Sequence, residues 1–186
     1  EACDILENAE NFELAVHDLI KKYATEHQRI IFNGNGYSDE WVAEAEKRGL
    51  PNIKSMVEAI PQYIAPENVR AFEKFGVFTK AELESRVEIE YETYSKTINI
   101  EARSMIDIAG KQIIPAVIKY TTVLANSLTA VKTACADADV SVQAELLTET
   151  SDLLSDTKTA LAKLTDVTDK AGEMEEGAVQ AAYYRD

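Results

Sequence analysis

Residues 79 to 98 read TKAELESRVEIEYETYSKTI, and this stretch decides the fold. Thr79 and Glu82 have the spacing of a capping box, in which two side chains satisfy backbone N–H groups at the start of a helix. Apolar side chains then recur every three or four residues, which places them on one helical face: Leu83, Val87, Tyr91, Tyr94, Ile98, Ala102, Met105 and Ala109. The pattern predicts a helix over residues 80 to 114, about 52 Å long at ~1.5 Å per residue.

The same rhythm continues beyond Pro115, through Val117, Tyr120, Leu124, Ser127, Val131 and Cys135. A proline inside such a pattern usually kinks a helix, and Gly110 adds slack one turn earlier. We therefore predict one long bent helix or two stacked helices.

A second long helix follows. Residues 136 to 140, ADADV, predict a reversal of the chain, and Ser141 is the predicted cap of the next helix. That helix carries a coiled-coil-like seam of Leu147, Thr150, Leu154, Thr157, Leu161, Leu164, Thr168 and Ala171. Two long amphipathic helices joined by a short loop predict an antiparallel hairpin.

Glycine and proline divide the first part of the chain, at Gly34, Gly36, Gly49, Pro51, Pro61, Pro66 and Gly76. One apolar stripe predicts a helix that runs to about His27; it consists of Ile5, Ala9, Phe12, Val16, Leu19 and Tyr23. Three short helices are predicted next: one capped by Ser38 and ended by Gly49, one from about Ile53 to Pro61, and one from Pro66 to Gly76.

These patterns predict an all-α fold, in which several short helices precede a long antiparallel helical hairpin or bundle. Only RIIF at residues 29 to 32 resembles a strand, and the signal is too weak to keep. We predict a short-helix subdomain over residues 1 to 78 and the hairpin over residues 79 to 186. The stretch IIPAVI at residues 113 to 118 is apolar on more than one face, which implies further helices or another subunit as a cover.

Composition excludes several classes of partner. The chain has 19 Lys and Arg against 33 Asp and Glu, a net charge of -14, and no segment is basic. Nucleic acid and anionic membranes require patches of Lys and Arg, so neither is expected as a partner.

The sequence also bears on the location of the chain. The longest uncharged run, residues 120 to 131, is too short to span a bilayer. No export signal is visible, and Cys3 and Cys135 are expected to be reduced thiols, so a cytoplasmic location is predicted.

The sequence GNG at residues 34 to 36 invites comparison with phosphate-binding loops. A Walker loop requires GxxxxGK[ST] and a dinucleotide loop requires GxGxxG, and neither pattern is present. Asp39 and Glu40 occupy the helix N-terminus where a bound anion would lie, and they would repel it. We therefore predict a turn, in which Gly34 and Gly36 supply positive φ angles.

No catalytic, cofactor-binding or metal-binding residue is predicted. His17 and His27, the two histidines, lack the Glu-x-x-His spacing of di-iron bundles. Glu84, Glu88 and Glu92 share one helical face and are expected to be solvated. Glu101 and Arg103 interrupt an otherwise apolar stretch, which makes a buried or interfacial ion pair possible, and no catalytic role is predicted for them.

Three strings carry a family resemblance: RIIFNGNGYSDEW at residues 29 to 41, RGLPNI at 48 to 53, and YSKTINIEARSMIDIAGKQIIPAVIKY at 94 to 120. With them, nearly the whole chain resembles the C-terminal region of a bacterial type III glutamine synthetase. The resemblance implies a piece of a ligase that depends on ATP and on magnesium or manganese, and that joins ammonia to glutamate through a γ-glutamyl phosphate. It also implies large ring-shaped homo-oligomers, with the enzyme's own catalytic domain and other copies of the subunit as partners.

The resemblance carries no functional residue onto this chain, because the family's metal, nucleotide and glutamate sites lie in segments that precede this region. We expect the chain to be a non-catalytic scaffold whose hairpin is truncated at its C-terminus. The alternative from another class is an independent helical binding or adaptor module, whose hairpin docks a partner helix.

Overall fold

The computed structural model describes all 186 residues, which form helices and turns without a strand. Contacts group them into two compact units, Glu1–Lys54 and Ser55–Asp186. The α-helices are α1 (Ala2–Glu7), α2 (Phe12–Glu26), α3 (Asp39–Lys47), α4 (Met56–Ala59), α5 (Pro66–Lys74), α6 (Lys80–Ile108), α7 (Ile114–Ala134), α8 (Ser141–Gly172) and α9 (Ala178–Arg185). Short 3₁₀ segments cover Gln28–Ile30 and Ile60–Ile64, and a π-helical segment covers Ala109–Ile113. The predicted all-α fold class is confirmed.

The first apolar stripe is divided between two helices, so the single helix predicted there is wrong. The side chain of Asn8 donates a hydrogen bond to the Asp4 carbonyl (2.7 Å), where α1 ends. Asn11 Oδ1 then accepts from the Leu14 backbone N–H (3.1 Å) and caps α2. Asparagine side chains compete in this way for backbone groups that a continuous helix would use itself.

The GNG stretch is a turn that leads into α3. Asn35 Oδ1 accepts from the Tyr37 backbone N–H (3.0 Å), and the Ser38 hydroxyl donates to the Asn35 carbonyl (2.9 Å). Ser38 Oγ also accepts from the Trp41 backbone N–H (3.3 Å), which confirms the predicted cap.

The predicted reason for the two glycines in this turn is wrong. Positive φ angles occur at Gly49, Gly76 and Gly177, and neither Gly34 nor Gly36 is among them. A Cβ atom on Gly34 would lie 2.6 Å from Cζ of Phe32, whose ring stacks on Trp41 with 4.2 Å between centroids. A side chain at position 34 would therefore force the Phe32 ring to move, whereas no atom lies within 4 Å of a Cβ on Gly36.

Arg48 connects the end of α3 to the segment before the turn. Its guanidinium donates to the Ile31 carbonyl (2.8 Å), and its Nε donates to Glu44 Oε1 (2.6 Å). The hydrogen bond from Arg48 lowers the pKa of Glu44 below 4.5. Gly49 follows with φ 70°, and the Leu50 N–H bonds the Ala45 carbonyl (2.9 Å), which completes a Schellman ending as predicted.

The short helices of the second unit follow the prediction in part. Pro66 opens α5 as predicted, and Gly76 with φ 65° closes it. However, α4 begins at Met56, because Ser55 Oγ accepts from the Glu58 N–H (3.3 Å). Nor does Pro61 stop the helical path, since it lies in the first turn of the 3₁₀ segment, where a missing N–H is tolerated.

The long helix begins with the predicted capping box. Glu82 Oε2 accepts from the Thr79 N–H (2.7 Å), and Thr79 Oγ1 accepts from the Glu82 N–H (3.3 Å). Helical structure then continues without a break from Lys80 to Ala134. The π-helical segment lies immediately before Pro115, which has no N–H to offer the Lys111 carbonyl in an α-helical pattern.

The reversal at residues 136 to 140 is confirmed, and its cap differs from the prediction. Asp139 Oδ1 accepts from the Ser141 N–H (2.9 Å), so Asp139 closes the N-terminus of α8 and Ser141 is its first residue. The hydrogen bond from the Ser141 backbone lowers the pKa of Asp139. α8 packs along α7 and reaches α6, which confirms the antiparallel hairpin.

The core of the second unit lies where α4, α6 and α9 meet. Its buried side chains are Val57, Ile60, Val87, Tyr91 and Ala181. Burial raises the pKa of Tyr91. α9 is held further by the Gln180 side chain, which donates to the Ala171 carbonyl at the end of α8 (3.0 Å), and by an ion pair between Arg185 and Glu58 (3.4 Å).

Replacing Gly34 by alanine should destabilise the first unit, because the new methyl group would displace the Phe32 ring from Trp41. Overpacking of this kind costs about 1–3 kcal/mol. Trp41 is the only tryptophan of the chain, so intrinsic fluorescence reports directly on the stack. We expect a changed emission spectrum for Gly34→Ala and an unchanged one for the matched control Gly36→Ala. Equal spectra for both variants would contradict the steric explanation.

The capping box should show a pH signature. Hydrogen bonds from the backbone and side chain of Thr79 hold the pKa of Glu82 below 4.5. Because the folded-state pKa is lowered, the stabilisation is present above about pH 4.5 and is lost as the pH falls through the lowered value. The melting temperature of Glu82→Gln should therefore lie below that of the parent at pH 7 and converge with it at acidic pH. A constant difference would contradict this.

Thr79→Ala is the complementary variant, because it removes the hydroxyl that accepts the Glu82 N–H. Loss of such a cap costs ~1 kcal/mol. The expected drop in melting temperature at pH 7 is about 2–4 °C for a chain of this size. Thermal denaturation followed by circular dichroism measures it, and no drop would show that the cap contributes nothing to stability.

Candidate functional site

The two histidines lie apart from each other and from any cluster of ligands. His17 is exposed, with Nδ1 3.3 Å from Asp18 Oδ1. The ring of His27 lies 5.9 Å from that of Tyr23, centroid to centroid. Among the 186 residues there is no group of three or more His, Cys, Asp or Glu that could hold a metal ion. Cys3 and Cys135 are both exposed and free.

The glutamates of α6 form ion pairs along their own helix. Lys80 Nζ lies 3.3 Å from Glu84 Oε1, one turn away. Lys96 pairs with Glu92, and this hydrogen bond raises the pKa of Lys96. Both pairs are exposed, so they contribute little to stability and present a solvated surface.

Arg103 forms an ion pair between helices, and its partner is Asp169, not Glu101. Its guanidinium lies 3.2 Å from Asp169 Oδ1 on α8, and its Nε donates to Asn99 Oδ1 on its own helix (3.1 Å). Glu101 is exposed and takes no part. Since both Arg103 and Asp169 are about half exposed, the pair connects α8 to α6 at the surface, contributes little to stability and is not a buried charge.

A polar cavity of about 220 Å³ lies where α6, the end of α8 and α9 meet. Its lining includes Ser95, Lys96, Asn99, Gln180 and Tyr184. The Ser95 hydroxyl is buried and has no hydrogen-bond partner in the protein. Burial raises the pKa of Tyr184, and the charge of Arg103 opposes that shift.

This cavity was missed by sequence reasoning, although Ser95 follows Tyr91 by one turn on the same helical face and so places a hydroxyl in the apolar stripe. Its groups do not form a reaction centre. Ser95 Oγ is closed off from solvent and has no hydrogen-bond partner, so neither of the two lining carboxylates, Glu92 and Glu176, is placed to activate it. The cavity can hold water or a small polar group.

The most extensive feature of the second unit is apolar surface on the long helix. Exposed side chains there include Ile100, Met105, Ile108, Ile113, Ile118, Tyr120 and Val123. The whole chain exposes 13753 Å². Two separate compact proteins of the sizes of its two units would together expose roughly 10,000 Å². The large total area shows an open arrangement of the helices, and a row of exposed apolar side chains on one helix usually marks contact with another protein or with a membrane.

The helix Lys80–Ala134 contains a window that is long and apolar enough to cross a membrane, by length and composition only. Only 6% of that window is buried, which distinguishes it from an ordinary core helix. One helix of this kind is weak evidence for a span. α8 packs along α7 and carries six exposed carboxylates, which would be costly to bring into a bilayer.

Comparison with known proteins gives a consistent family. The model described as "Glutamine synthetase C-terminal domain" matches residues 15–132. A glutamine synthetase from Butyrivibrio fibrisolvens is 36% identical over 169 residues, which are 91% of this chain and 24% of that protein. A type-3 glutamine synthetase from Dictyostelium discoideum is 35% identical over 119 residues, 64% of this chain and 16% of that protein.

A glutamine synthetase from Bacteroides fragilis is 29% identical over 176 residues, 92% of this chain and 24% of that protein. The chain thus spans a quarter or less of the length of these relatives. The family model covers more than half of the chain, in both of its compact units. The chain therefore belongs to the glutamine synthetase C-terminal domain family.

Proposed function

We propose that this chain is the C-terminal helical portion of a bacterial type III glutamine synthetase, non-catalytic alone, and that it contributes scaffold and subunit contacts. The observation that carries the proposal is the family match over residues 15–132 in a chain that spans only about a quarter of its relatives. The similarity to a type-3 glutamine synthetase supports the finer assignment.

The whole enzyme would ligate ammonia to glutamate with ATP and a magnesium or manganese ion. The residues of this chain do not fit either group. No three ligand side chains converge to hold a divalent cation. At the GNG turn, the N-terminus of α3 carries Asp39 and Glu40 in its first turn, and their charges would repel a phosphate. We therefore assign no catalytic step to this chain.

The proposed partners are the catalytic domain of the same polypeptide and other copies of the subunit, in the cytoplasm. The exposed apolar side chains of α6 and α7 support this part, because they require a cover. The division into a junction over residues 1 to 78 and a hairpin over residues 79 to 186 stays a prediction. In the structure, residues 55 to 78 belong to the same compact unit as the hairpin.

The native polypeptide tests the proposal most directly. We expect its intact mass to be roughly four times the 20.6 kDa of this chain, with the present sequence near its C-terminus. Mass spectrometry of the protein purified from its source, together with peptide mapping, measures both. A native polypeptide of about the mass of this chain would contradict the proposal.

Glutamine formation should distinguish the isolated chain from the full polypeptide. The isolated chain, supplied with glutamate, ATP, magnesium and ammonium, is expected to form no glutamine, because it brings no site for the nucleotide or the metal. The full polypeptide should be active under the same conditions. Chromatographic quantification of glutamine is the measurement, with the full polypeptide lacking its ATP as the blank. Turnover by the isolated chain would overturn the non-catalytic assignment.

A further inference from the structure

Charge is distributed unequally between the two arms of the hairpin. Residues 108 to 136, which include α7, contain three lysines and no Asp or Glu. Residues 137 to 157, which include the first half of α8, contain six Asp and Glu and no Lys or Arg. The α7 arm therefore carries only three charges, all lysines, and one of these pairs with Asp107, whereas the α8 arm is acidic at the end of the hairpin distal to α9.

The acidic charges of α8 form one stripe that faces away from α7. Glu145, Glu149, Asp152 and Asp156 follow at intervals of four, three and four residues, so they share a helical face. All four are exposed, and none forms an ion pair within the chain. Exposed apolar side chains flank the stripe at Val142, Leu146 and Leu153. We call these seven residues the acidic face.

The outer side of α7 has the complementary character. Leu124 is buried against the hairpin, and Lys119 and Val123 lie on the opposite side of the helix, one turn apart. Lys119 has no ion-pair partner in the chain, and Val123 is 62% exposed. Ile118 and Tyr120 beside them are about half exposed. We call these four residues, of which Lys119 is the one charged member, the basic face.

We propose that the basic face of one copy packs on the acidic face of a second copy. The inference rests on the proposed role in subunit contacts and names the surfaces that make one. Opposite charges attract across such a contact, and the flanking apolar side chains of both helices become buried. Two acidic faces would bring eight carboxylates together, and two basic faces would leave all carboxylates unpaired, so symmetric pairing is disfavoured.

The contact is head-to-tail, because it joins two different surfaces. Each copy keeps one free basic face and one free acidic face after the first contact forms. Interfaces of this kind close into rings where the rotation between copies allows it and otherwise extend into filaments. Since the charges are exposed, the association should weaken as salt rises.

Charge reversal tests the pairing in the 186-residue chain by sedimentation velocity. Lys119→Glu and Glu149→Lys/Asp152→Lys should each weaken self-association about tenfold, since reversal replaces attraction by repulsion at exposed pairs. Mixing the two variants should restore association. The α7 of the Lys119→Glu variant can then pack on the α8 that carries the two new lysines, and Lys119 of the second variant can pack on the unchanged acidic face of the first. The matched controls are Lys54→Glu for the first variant and Glu10→Lys/Glu175→Lys for the second; they change charge equally at exposed positions elsewhere.

These measurements distinguish the proposed contact from a symmetric contact and from a lipid surface. A parent chain that stays monomeric at millimolar concentration would overturn the proposal, and so would variants whose mixture fails to associate. A symmetric contact through α7 would leave the α8 variant unaffected, which also overturns it. Sedimentation with vesicles of phosphatidylcholine and phosphatidylserine tests a lipid cover, and binding there would overturn the protein contact. None of these results touches the mass and activity of the full polypeptide, which test the proposed function separately.

Discussion

The helix from Lys80 to Ala134 is the constraint on which the second unit depends. It is 55 residues long, and no single partner covers it. Near its start, α4, α9 and the 3₁₀ segment Ile60–Ile64 bury Val87 and Tyr91, and further along α8 covers one side. The other side stays apolar and exposed, so the energetic gain of burial is concentrated at one end of the unit.

The features predictable from sequence were those with a local cause. Thr79 and Glu82 are the two side chains of a capping box, and Gly49 and Gly76 end helices because only glycine adopts positive φ at little cost. The apolar residues that recur every three or four positions beyond Leu83 predicted the long helix, and this pattern is also local. Each of these depends on neighbours within one or two turns, and the sequence contains all of them.

The predictions that failed depended on contacts between side chains or on competition for the backbone. A side chain at position 34 would force the Phe32 ring to move, a contact that no pattern reveals. The stripe from Ile5 to Tyr23 has the spacing of a single helix, but hydrogen bonds of the Asn8 and Asn11 side chains divide it between two helices. Arg103 pairs with Asp169, which lies 66 residues away and becomes its neighbour only when the hairpin closes. At the candidate site, the polar cavity beside Ser95 depends on how α6, α8 and α9 pack, so the sequence pattern did not reveal it.

The π-helical segment at Ala109–Ile113 sets the rotational phase of everything beyond it. A π turn accommodates one residue more than an α turn, and one residue corresponds to ~100° around a helix axis. Uniform α geometry with the same residues would rotate Lys119 and Val123 a quarter of a turn or more relative to Tyr91, whereas deleting one amino acid there would restore α geometry and leave their orientation nearly unchanged. The side chains that meet α8 and those that meet α9 can thus be aimed independently, although one continuous rod carries both.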